Sequence, residues 1–192
     1  MPVHYNIIPA DKNQNIPPAM TKIDVKAGAK KLAPAVKKAL ESARKADDKF
    51  AKWFCPKGAE GHDEVQKLVV NLLTNMSEFL DKTTNTVNIK LMAKDADSSL
   101  YAYVWPDLGR SNKAGQWFVY LGPCIVKKEA GVKDIFLLTL AHEMSHHFGT
   151  NAQKEYQKEK YAAACKTLPA SDPVYAANNA DNYGYFIEHC AQ

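Results

Sequence analysis

Residues 132–149 read VKDIFLLTLAHEMSHHFG, and within them His142, Glu143 and His146 form an H-E-x-x-H pattern. On an α-helix, residues four apart lie on one face, so His142 and His146 can direct imidazole nitrogens at a single cation. Zn2+ suits this donor set, and it lowers the pKa of a bound water to about 7. Glu143 follows the first histidine directly and is placed to act on that water as general base. The chemistry these residues could do together is hydrolysis of a peptide bond by an activated water.

A competing reading makes the segment a core helix whose histidines are satisfied by neighbouring groups. Val132, Ile135, Phe136, Leu137, Leu138, Leu140, Ala141, Met144 and Phe148 leave few solvated positions on it. Two imidazoles and a carboxylate without partners would be costly there, which favours the metal.

The elements that must position these residues follow from periodicity. Residues 25–54 carry nine Lys or Arg against three acids. Leu32, Val36, Leu40, Ala43, Phe50 and Phe54 recur at helical spacing, which predicts a helix with a solvated basic face. Cys55-Pro56-Lys57-Gly58 breaks that pattern. Val65, Leu68, Val69, Leu72, Leu73, Met76 and Phe79 then define an amphipathic core helix. Val87, Ile89 and Leu91 alternate with Asn88 and Lys90, as in a half-buried strand. Residues 100–105 and 116–121 are aromatic-rich and predicted to pair as antiparallel strands.

Beyond the histidine pair, Gly149 stands where a helix C-cap belongs, and Thr150 with Gln153 forms a capping box for a helix over 151–167. Asp172-Pro173 opens a last helical region that reaches the C-terminus. Residues 1–24, with four prolines and no sustained period, are expected to be an extended arm.

Composition narrows the class. A chain of 192 residues, 46% hydrophobic and 24% charged, is expected to form one domain over 25–192. No stretch approaches the roughly 20 apolar residues of a membrane span, so no membrane partner is expected. The net charge of +4 comes with no nucleic-acid motif, so no nucleic-acid partner is expected either. Cys55, Cys124, Cys165 and Cys190 contain no C-x-x-C; they permit two disulfides and demand none. The N-terminal residues lack the basic-then-apolar layout of a signal peptide.

The strand YAYVWPD, the strand FVYLGP, the helix LAHEMSH and the tail DPVYAANNADNYGYF lie between about Leu100 and Glu188. Together they resemble the aspzincin metalloendopeptidases, a family that includes deuterolysin and the peptidyl-Lys metalloendopeptidases. The resemblance implies an α+β, mostly helical zincin-like metallopeptidase domain with a small antiparallel β-sheet. It implies a zinc endopeptidase in which His142 and His146 bind Zn2+ and Glu143 is the base, acting on a protein or peptide substrate; the chain is expected to be a monomer. It also implies a secreted protein, leaderless or already processed, with a cytoplasmic one as the alternative.

In that family a Gly-Thr-x-Asp-x-x-Tyr-Gly element supplies the third ligand and an oxyanion-stabilising tyrosine. Counting from Gly149-Thr150, the ligand position holds Ala152 and the tyrosine position Glu155. Counting back from Tyr161, the ligand position holds Lys158. The replacement ligand is therefore Glu155, Glu159 or Asp181. Glu155 is favoured over Glu159 because it lies one turn, about 5.4 Å, closer to the turn at Gly149. Tyr161 or Tyr156 is the oxyanion candidate. Asp181 matches a family aspartate on the substrate side of the cleft. The acid that follows it three positions later in the Lys-specific members is Gly184 here, which argues against a strict requirement for lysine. The missing aspartate also supports a second reading, a pseudopeptidase kept as a protein-binding module.

Overall fold

The structure, a computed structural model, describes residues 3–8, 24–92, 102–104, 115–122, 131–150 and 161–192. In chain order the elements are β1 (His4–Ile8), α1 (Val25–Ala29), α2 (Leu32–Lys45), α3 (Asp48–Trp53), α4 (His62–Asp81), β2 (Thr86–Leu91), β3 (Ala102–Tyr103), β4 (Gln116–Leu121), α5 (Ile135–His147), α6 (Tyr161–Ser171), α7 (Pro173–Asn178) and α8 (Ala180–Ala191). The expected mostly helical α+β architecture with a small sheet is what the chain forms.

The sheet differs from the expected antiparallel one. Its order is β1-β2-β4-β3, with β1–β2 and β2–β4 parallel and only β3–β4 antiparallel. The two aromatic strands do pair as the sequence suggests, Ala102 opposite Leu121. Parallel neighbours need long crossovers, and the chain supplies them: helices α1 to α4 lie between β1 and β2, and residues 92–115 between β2 and β4. Period-two alternation locates a strand but does not give its direction.

Part of the expected N-terminal arm is β1. It pairs with β2 from His4 opposite Thr86 to Ile8 opposite Lys90, and Val3 N–H donates to the Leu80 carbonyl at 2.9 Å. Strand β2 thereby becomes interior, so Asn88 is buried; it accepts from Asn6 Nδ2 at 2.9 Å.

The basic segment is three helices in place of one. Helix α2 ends at Ala46, which takes the left-handed conformation at φ 46°. Asp47 then caps α3, its carboxylate accepting from the Lys49 and Phe50 N–H groups. An aspartate offering its side chain to two orphan donors competes with helix continuation, and here it wins. The last helical region also divides. Asn179 breaks it at φ −96°, ψ 121°, and its side-chain oxygen caps α8 at Asp181 N–H.

The core centres on α5 packed against α8, with α2 against α4 and α8. Phe50, Phe54, Tyr183 and Phe186 are fully buried and interlock, Phe54 lying 4.9 Å from the Tyr183 ring and 5.1 Å from Phe186. Asn182 joins three elements through this core. Its Nδ2 donates to the Trp53 and Cys165 carbonyls at 2.6 and 2.9 Å, and its Oδ1 accepts from Asn179. Cys55 and Cys190 are free buried thiols, and Cys165 is buried as well. No described helix is long and apolar enough to cross a membrane.

Candidate active site

Helix α5 carries His142, Glu143 and His146, and both of its ends are fixed. At its start Asp134 caps Leu137 N–H at 3.0 Å and accepts from Lys31 Nζ at 2.7 Å. The Lys133 and Asp134 N–H groups both donate to Glu188 Oε1 on α8, at 3.0 and 3.2 Å. The start of α5 is thus anchored to the helix it packs against. At its end Gly149 adopts φ 120°, a conformation that favours glycine. The chain reverses there, and Thr150 N–H returns to the Ser145 carbonyl at 3.2 Å.

The two histidines converge. His142 Nε2 and His146 Nε2 stand 3.1 Å apart, with ring centroids 4.8 Å apart and planes at 82°. Glu143 is buried on the same helix, 5% exposed.

Each ring is held by its other nitrogen. Asp181 Oδ1 on α8 lies 2.8 Å from His142 Nδ1. The Thr150 Oγ1 and carbonyl oxygen lie 3.2 and 3.3 Å from His146 Nδ1. Asp181 Oδ2 is buried with no hydrogen-bond partner among the described residues.

This arrangement fits zinc. Two nitrogens bound tetrahedrally at 2.0–2.1 Å would stand about 3.3 Å apart, close to the separation seen. A ligating histidine donates its far N–H to a carboxylate or carbonyl, as both rings can do here. Among the described residues no third His, Cys, Asp or Glu completes a cluster. Asp181 meets His142 at Nδ1, the nitrogen turned away from the shared side.

Of the other candidates, Glu155, Tyr156 and Glu159 lie outside the described residues, as does the side chain of Tyr161, whose backbone begins α6. Gly184 lies directly against the site. A Cβ there would meet the Leu138 carbonyl oxygen at 3.0 Å and His142 Cβ at 3.3 Å.

Sequence reasoning missed Ser145, Thr150 and Glu188. Thr150 reads as a helix cap for residues that lie outside the described ones; among the described residues its hydroxyl meets Ser145 and His146. The available signal was its place one residue after a glycine that turns the chain back onto the second histidine.

The matches to known proteins cover the same ground. A family model described as lysine-specific metallo-endopeptidase, aspzincin M35, matches residues 39–188. A peptidyl-Lys metalloendopeptidase of Armillaria mellea is 27% identical over 169 residues, spanning 88% of this chain and 43% of that protein. One of Grifola frondosa is 28% identical over 151 residues, spanning 78% and 38%. A solved zinc peptidase from Grifola frondosa superposes with a TM-score of 0.62 at 25% identity, over 86% of this chain and 92% of that one. The chain belongs to the aspzincin family of metallopeptidases. It spans about four-tenths of the length of the two peptidyl-Lys relatives.

Proposed function

We propose that the chain is a zinc-dependent endopeptidase, with His142 and His146 as metal ligands and Glu143 as general base. The observation that carries this reading is the pair of Nε2 atoms 3.1 Å apart on the helix that also bears a buried Glu143. Bound Zn2+ would supply a water of lowered pKa and polarise the scissile carbonyl. Glu143 removes the proton of the attacking water and returns it to the leaving amine. Asp181 holds the His142 ring in orientation through Oδ1 and is the proposed residue on the substrate side of the cleft.

Glu155 is the proposed third ligand, with Glu159 as the alternative, and Tyr161 or Tyr156 the proposed oxyanion donor. The substrate is a protein or peptide, as the names of the relatives suggest. Gly184 stands where the Lys-specific members carry a second acid after the one matched by Asp181, which supports cleavage without a strict lysine preference. Action as a secreted monomer, without nucleic-acid or membrane partners, belongs to the same proposal.

The test compares the parent with Glu143→Gln. The variant is expected to keep its zinc and lose cleavage of casein by at least about a hundredfold. Cleavage at the parental rate would remove Glu143 from the mechanism. The pseudopeptidase reading is favoured by Ala152, which cannot bind a metal. It predicts a parent that holds less than about half a zinc per chain and cleaves nothing.

A further inference from the structure

The hydroxyl protons around His146 can be assigned one by one. Ser145 Oγ lies 2.7 Å from the His142 carbonyl oxygen, which can only accept, so the single hydroxyl proton of Ser145 goes there. Thr150 Oγ1 lies 2.9 Å from Ser145 Oγ. With the Ser145 proton committed, Thr150 must donate to Ser145. Thr150 Oγ1 then faces His146 Nδ1, at 3.2 Å, with lone pairs only. The Thr150 carbonyl, at 3.3 Å, is likewise an acceptor. His146 must therefore carry its proton on Nδ1.

His142 reaches the same state by another route, since Asp181 Oδ1 at 2.8 Å is an acceptor for its Nδ1–H. With both protons on Nδ1, the two Nε2 atoms face each other as acceptors at 3.1 Å. In that state no hydrogen bond links the two Nε2 atoms to each other. A cation on their shared side suits two such acceptors.

We propose that Ser145 and Thr150 form a hydroxyl relay that locks His146 in the Nδ1–H tautomer and so keeps its Nε2 ready for metal. Both are positioning residues. The proposal rests on the metal-site reading, but its tautomer claim does not need metal to be present. Ser145 acts without touching the imidazole. Its loss frees the Thr150 hydroxyl proton, which can then rotate onto His146 Nδ1 and push the ring toward the Nε2–H tautomer. Thr150→Val removes the acceptor hydroxyl and leaves the longer carbonyl contact.

The relay makes the two substitutions non-additive, because a valine at 150 has no proton to misdirect. Ser145→Ala and Thr150→Val are each expected to weaken zinc about tenfold, and the double variant by no more than about tenfold in all. Thr150→Ser should bind as the parent does.

The experiment pairs zinc titration of these four variants with imidazole 15N spectra of the metal-free parent and Ser145→Ala. The expected spectra show His146 as Nδ1–H in the parent, with the Nε2–H form growing in Ser145→Ala. A metal-free parent with His146 in the Nε2–H form overturns the relay, and needs no variant to fold. Additive losses in the double variant, or parental zinc affinity in Ser145→Ala, overturn it as well. If the parent takes up no zinc while His146 is Nδ1–H, the metal-site reading has failed and the relay stands.

Discussion

Asp181 Oδ1 and His142 Nδ1 meet at 2.8 Å across the contact between α8 and α5, so the packing of two helices also sets the angle of an imidazole. The side chains are 10% and 13% exposed, which keeps water from competing strongly for the contact. A carboxylate behind a ligating histidine fixes its tautomer and strengthens it as a ligand. Asp181→Asn should therefore weaken zinc about 10- to 100-fold, whatever it does to substrate preference. Competition with a chromophoric chelator measures it; an unchanged affinity would leave Asp181 with the substrate alone.

Gly184 sets the distance between the same two helices. Gly184→Ala gains about 1 kcal/mol of helix propensity. It also forces a Cβ to 3.0 Å from the Leu138 carbonyl oxygen, a backbone atom that moves only with α5. Overpacking of this kind costs about 1–3 kcal/mol, so the steric effect wins. A net loss of about 1 kcal/mol is expected in urea melts, together with weakened zinc because His142 Cβ is the next atom displaced. A stabilised variant would show that α5 and α8 are not held at this spacing.

Alkaline pH should destabilise the fold in a defined window. Burial raises the Cys190 thiol from its ordinary 9.0 to about 11, and raises the Tyr5 phenol to about 12 and that of Tyr183 further. These acids hold their protons more tightly when folded, so the unfolded chain releases protons first as pH rises. Their contribution is complete below the ordinary values and is lost as pH climbs through the folded ones. Cys190 accounts for a loss of about 2 kcal/mol between pH 9 and 11. Stability against pH for Cys190→Ala should run flatter across that interval than for the parent. Parallel curves would contradict the assignment.

How much of this was legible in the sequence differed by element. Helix α4 was clear because Val65, Val69, Leu72, Leu73 and Met76 bury one face through a long uninterrupted period. The histidine pair was clear because i, i+4 spacing fixes a shared face before any tertiary structure forms. The sheet direction was not, since Val87, Ile89 and Leu91 alternate identically in parallel and antiparallel ladders. Nor was the break at Ala46, where the residue gives no hint of a left-handed conformation; the signal was Asp47 beside it. Asp181 was noticed through a family likeness, yet its contact with His142 depends on α8 crossing α5, forty residues later in the chain. Glu188 is unreadable for the same reason, and Thr150 offers only its place after Gly149: their partners are set by how the chain turns and packs, not by spacing.

The central claim is that His142 and His146 form one zinc site. Elemental analysis of the purified parent after zinc dialysis, beside His142→Ala and His146→Ala, tests it most directly. The account predicts close to one zinc per chain in the parent and almost none in either variant. A parent well below one-half zinc per chain, or a histidine variant that keeps its metal, would contradict it.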